Sequence, residues 1–123
     1  MSIGNYLETK VLDAVFRNVS LAVAANYVKL HIGDPGENGT ANAAGNTSRQ
    51  AATWAAASGG TIATNATITW TSVSTGETYT HISIWDAATA GNHLWNGPLT
   101  APYIVNAGDN FSLTSGTVIC SLD

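Results

Sequence analysis

Apolar and polar residues alternate strictly at the start of residues 78–99: Ile82 and Ile84 fall on one side, and Tyr79, His81, Ser83 and Trp85 on the other. This period of two predicts a half-buried strand. Residues 86–92 carry turn chemistry, with Asp first and Gly-Asn last, and His93-Leu94-Trp95 is a second apolar run that stops at Asn96-Gly97-Pro98. The two runs predict an antiparallel hairpin. The same alternation recurs at residues 27–32, where Val28, Leu30 and Ile32 oppose Tyr27, Lys29 and His31. Shorter runs follow at residues 49–54, 67–70, 103–105, 111–113 and 117–122. Turn signals separate them, as at Ser58-Gly59-Gly60 and Ala107-Gly108-Asp109-Asn110.

Only the N-terminus has helical spacing. Ile3, Leu7, Val11, Ala14 and Val15 recur every three or four residues, and Leu12 and Phe16 widen the stripe. Ser2 is the expected N-cap and Asn18 the expected stop. A helix this short needs a partner surface, either the β core or a neighbouring subunit. Residues 1–18 therefore read as a helix and 27–123 as β structure within one domain. Roughly eight short strands preceded by a helix predict a mainly β fold, an antiparallel β-sandwich of jelly-roll or Ig-like type. A parallel βαβ sheet is excluded by that order.

Composition sharpens this picture. Charged residues make up 10% of the chain, far below the usual ~25%, and Thr, Ser, Asn and Gly supply the polar character instead. A surface so poor in charge suits packing against other copies or a larger assembly. The net charge of -4, with only Lys10, Arg17, Lys29 and Arg49 as scattered cations, argues against nucleic acid. No apolar run approaches the ~20 residues that span a bilayer, and the first residues lack the pattern of a secretory signal. Cys120 stands alone, which excludes an internal disulfide. Synthesis in a cytoplasm is expected.

Candidate chemistry is sparse. His31, His81 and His93 each sit within a predicted strand without metal-ligand spacing, and read as exposed or structural. Asp34, Glu37 and Asn38 place oxygen ligands close together but depart from the EF-hand pattern. Neither a metal nor a cofactor is expected. No G-x-S-x-G elbow, cysteine–histidine arrangement or phosphate loop occurs, so no catalytic residue is assigned and the chain reads as a non-enzyme. Four tryptophans, Trp54, Trp70, Trp85 and Trp95, read mainly as packing residues. Trp85, opposite the Ile82/Ile84 face, is the best placed to stack on a sugar. Residues 34–47, rich in Ala, Asn, Gly and Thr, read as a long surface loop of the kind that is often functional or partly mobile. The interaction candidates are thus Leu7, Val11 and Phe16 on the helix, Asp34, Glu37 and Asn38 on the loop, and Trp85.

Several blocks taken in order carry a resemblance: N-Y-L-E-T-K-V-L-D-A-V-F near the start, Y-V-K-L-H-I-G-D-P-G-E-N-G-T from Tyr27, Arg49-Gln50-Ala51, and W-A-A-A-S-G-G from Trp54. They continue with T-H-I-S-I-W-D-A-A-T-A-G-N-H-L-W-N-G-P-L-T, V-N-A-G-D-N-F from Val105, and the ending S-L-D. Across nearly the whole chain these resemble small tailed-bacteriophage virion proteins described as tail-fibre-like or minor tail proteins. The resemblance implies a structural virion subunit that docks on other virion proteins of the tail or capsid. A capsid decoration role suits the same sequence. Homo-oligomers, trimers above all, are the implied assembly, and a host surface glycan is a further implied partner.

Overall fold

The computed structural model describes residues 2–122. Among them are nine strands and one helix. A five-stranded antiparallel sheet has the order β1-β7-β6-β2-β3, made of β1 (Ser2–Ile3), β7 (His93–Val105), β6 (Glu77–Trp85), β2 (Asn26–His31) and β3 (Gln50–Ala52). Two ribbons form the second layer: β4 (Thr61–Ala63) with β9 (Ile119–Ser121), and β5 (Ile68–Trp70) with β8 (Phe111–Leu113). This mainly β, sandwich-like arrangement is the one expected from the spacing of the strands.

The predicted central hairpin is present as β6 and β7, with Ile84 opposite Trp95 and Ile82 opposite Gly97. On the other side of β6, Val28 faces Ile84 and Leu30 faces Ile82. These apolar residues share one face of the sheet and meet Ile68, Trp70, Phe111 and Val118 from the second layer. The turn between β6 and β7 closes on Asp86, whose carboxylate accepts the Asn92 backbone N–H (2.7 Å) and side-chain amide (2.9 Å). Burial alone would raise the Asp86 pKa, but these bonds and the nearby Arg49 charge hold it below the usual carboxylate value.

Three elements differ from the sequence expectation. The helix α1 spans Asn5–Phe16, and its N-cap is Gly4 rather than Ser2. Ser2 and Ile3 instead pair with Asn96 and Trp95, and the Gly4 N–H donates to the Leu94 carbonyl at 2.7 Å. Pairing with an open stretch of β7 satisfies more backbone groups than one extra helical turn would. The far end behaves as expected: Asn18 takes a left-handed conformation (φ 56) that stops the helix.

Second, β7 runs through both Pro98 and Pro102. Residues 99–102 bulge opposite Thr80 alone, between the pairs Tyr79–Tyr103 and His81–Pro98. The register break turns Tyr79 into the core rather than to the His81 side, and its ring meets Phe111 edge-on at 5.1 Å. A bulge reverses the alternation that the sequence pattern assumes. Third, the Ala-rich stretch before Ile62 hides the short strand β4, whose Thr61 and Ala63 offer no alternation to read.

Candidate functional site

The polar face of the large sheet is not a solvent face. His31, Ser83, His93 and Asn96 are all buried beneath the segment of residues 33–47, which crosses the sheet. That segment supplies backbone carbonyls where the strands supply polar side chains. The Trp85 indole N–H donates to Ser83 Oγ (2.7 Å), Ser83 is 2.7 Å from His31 Nε2, and His31 Nδ1 is 2.9 Å from the Ala41 carbonyl oxygen. One assignment satisfies every group: Nδ1–H donates to Ala41, and Nε2 accepts the Ser83 hydroxyl proton. His93 Nδ1 likewise lies 3.1 Å from the Glu37 carbonyl oxygen, and the Asn96 amide donates to the Gly36 carbonyl (2.9 Å). At the start of β6, Glu77 accepts the N–H groups of Gly45 and Asn46. The segment that the sequence reads as a long surface loop is tied to the sheet at several points, because buried polar side chains require those carbonyls.

Burial pushes both histidines below their ordinary pKa, against the opposing pull of their carbonyl partners. Each is therefore held neutral in the fold and binds a proton more readily when unfolded. Stability from this source is complete above about pH 6.5 and is lost as the pH falls below it. The expected result is a melting temperature that is level from pH 8 to 7 and declines from pH 6.5 to 5. A flat profile across that window would refute the buried neutral pair. The Asp86 contribution fades only at lower pH, below its ordinary value of 3.8.

Trp85 does lie opposite Ile82 and Ile84, but it offers no open stacking face. It is 7% exposed, with the Arg49 guanidinium over its ring at 4.3 Å and the His93 ring at 5.4 Å. Arg49 also donates to the carbonyls of Ala87 (2.8 Å) and Ala90 (2.7 Å), so one side chain staples the β6–β7 turn to the edge strand. Arg49→Lys is expected to lose about 1–2 kcal/mol of stability, since an ammonium cannot make the planar stack and both bonds at once. Chemical denaturation measures this; a loss below ~0.3 kcal/mol would mean the staple is ornamental.

The other candidates separate into two places. Glu37, Asn38 and Trp85 come together in a shallow cleft of ≈ 260 Å³ with Tyr6, Thr40 and Asn92. Asp34 does not join them; its carboxylate accepts the Gly36 N–H (2.9 Å) and shapes the turn. Leu7 lines a different feature, an apolar groove of ≈ 330 Å³ walled by Ile3, Trp54, Ile62, Trp95 and Leu122. Val11 is half-buried, while Phe16 lies at the helix end, 79% exposed. A further cavity of ≈ 350 Å³ opens on the other side of Trp95, between the β7 bulge and β8. Its walls come from Pro98, Leu99, Tyr103, Leu113 and Ile119. Neither apolar opening is visible in the sequence, because each is walled by elements far apart in the chain.

Among the described residues no group of three His, Cys, Asp or Glu side chains converges in a way that could hold a metal ion. Burial pushes the Cys120 thiol up to about 12, so it remains a protonated, poorly nucleophilic packing residue. Around Trp95 and along α1 the protein presents apolar surface.

No curated protein matches the chain. A family model described as podophage GP4 fiber I protein gp80 matches residues 2–121, and the chain belongs to that family of phage fibre-like structural proteins.

Proposed function

We propose that this chain is a non-enzymatic subunit of the tail of a tailed phage, a tail-fibre-like or minor tail protein that acts by docking on other virion proteins. The observation that carries the reading is the family match over residues 2–121. Two features of the molecule fit it: a surface with few charges and large apolar side chains left exposed on α1 and around Trp95. Exposed apolar residues grouped in this way are the common mark of a protein–protein contact. Trp85, 7% exposed with the Arg49 guanidinium over its ring, lends no support to the alternative of a host-glycan-binding module.

A reconstruction of the whole particle tests the proposal. Density for this fold at the tail supports it. Density on the head at icosahedral copy number would replace it with a capsid decoration role. Absence of the chain from purified particles by mass spectrometry would overturn both.

A further inference from the structure

The N-terminal segment is held to the body along a single strand. Both β1 and α1 pack on β7, through the pairs Ser2–Asn96 and Ile3–Trp95 and the bond from the Gly4 N–H to the Leu94 carbonyl. Ile3, Tyr6 and Leu7 rest half-buried against the core, and no residue of α1 is fully buried. Its N-cap has no side-chain hydrogen bond. Among the described residues, the polar side chains of α1 turn to the helix itself and not to the sheet. Thr9 donates to the Asn5 carbonyl, Asp13 pairs with Arg17, and the Lys10 ammonium lies over the Tyr6 ring.

The connection onward to β2 is looser still. Asn18 stops the helix, and among the described residues none of residues 20–24 makes a hydrogen bond, although Val23 touches the core. The segment of residues 33–47, by contrast, is tied to the sheet at several points. What the N-terminal segment covers also differs from the rest of its strand. Past Asn96, the outer edge of β7 carries Pro98, Pro102 and the bulge of residues 99–102, devices that keep another strand from pairing. Residues 94–96 hold no proline, and there β1 and Gly4 occupy the edge. Ile3 and Leu7 line the apolar groove together with Trp54, Ile62 and Leu122.

From this we infer that β1 and α1 form a latch, which opens as one piece about residues 17–25 while the sandwich stays folded. Opening bares the β7 edge at residues 94–96 and withdraws Ile3 and Leu7 from the groove. Elements with little buried apolar surface open at a lower free energy than core strands, and β2 and β6 bury Val28, Leu30, Tyr79, Ile82 and Ile84. A helix of twelve residues does not persist once detached from its support, so release of β1 and melting of α1 are one event. The latch sits tightest at Gly4, which is buried. A Cβ there would lie 2.7 Å from His93 Nδ1 and 2.9 Å from the His93 carbonyl oxygen. None of this depends on the virion assignment.

Hydrogen exchange on the full chain, followed residue by residue by NMR, reads the opening. With intrinsic rates divided out, the amides of Gly4 and of α1 from Glu8 onward are expected to share one opening equilibrium. They should exchange at least about 100-fold faster than the slowest amides of β2 and β6. Gly4→Ala wedges the latch at His93 and should speed the position-4 and α1 amides at least about tenfold, leaving β2 and β6 within about twofold. Leu12→Ala, at a position 57% exposed, should leave the Gly4 amide unchanged. A Gly4 amide as slow as those of β6, with only α1 exchanging fast, would mean that the helix frays on a fixed strand and would overturn the inference. So would a Gly4→Ala variant that speeds β2 and β6 as much as α1, or one that fails to fold.

Discussion

Phe111→Ala is expected to cost about 3–5 kcal/mol of folding stability, the usual range for deleting a buried aromatic ring. Phe111 is 1% exposed and is the hub of an aromatic cluster, with ring centroids 4.9 Å from Tyr103, 5.1 Å from Tyr79 and 5.7 Å from Trp70. It pairs with Trp70 across the β5–β8 ribbon, and it reaches through that layer to the bulged part of the large sheet. Alanine would leave a void among rings that cannot collapse, because Trp70 is held by its indole N–H on the Ser48 carbonyl (3.0 Å). For a protein with about 5–15 kcal/mol in total, this amounts to a fall in melting temperature of roughly 10–20 °C. Ile104→Ala, on a strand position 77% exposed, serves as the control and should change stability by less than about 0.5 kcal/mol. A Phe111→Ala protein that melts within a few degrees of wild type would show that the two layers are not joined through this cluster.

Gly39→Ala is expected to cost about 2–4 kcal/mol, from two additive causes. The residue has φ +70, where a Cβ is strained, and that Cβ would strike the His93 ring. His93 cannot retreat, since its ring is buried and bound to the Glu37 carbonyl. Gly36 provides the comparison, with φ +75 and open space around its would-be Cβ. Gly36→Ala should therefore show the backbone cost alone, about 1 kcal/mol. Denaturant unfolding of both variants measures the difference. Equal losses would mean that residues 36–39 do not press on the histidine, and the account of the covered polar face would fail with them.

Much of the architecture was legible in local pattern. The alternation around Ile82 and Ile84 located β6, the run Val28-Leu30 located β2, and both pair in the register that puts those residues on one face. The helix and its stop at Asn18 were equally plain. Where the pattern misled, a specific device intervened. The bulge opposite Thr80 reversed Tyr79, and the attraction of Ser2 and Ile3 to an open strand edge delayed the helix. The sequence leaves His31 and His93 as exposed or structural and makes Asn96 the stop of a strand, because nothing in a strand says that a later loop will fold over it. Their spacing was correct; their environment was decided elsewhere.

The division has a simple physical cause. Periodicity records which side of an element prefers water, and that preference is carried by neighbouring residues in the chain. Fold class, strand positions and the lack of a reactive motif follow from it. Burial of Trp85 beneath Arg49, the neutral histidines under residues 33–47, and the apolar openings on either side of Trp95 depend on residues brought together from distant segments. Those contacts exist only once the layers have packed, and the surfaces offered to partners are whatever that packing leaves uncovered.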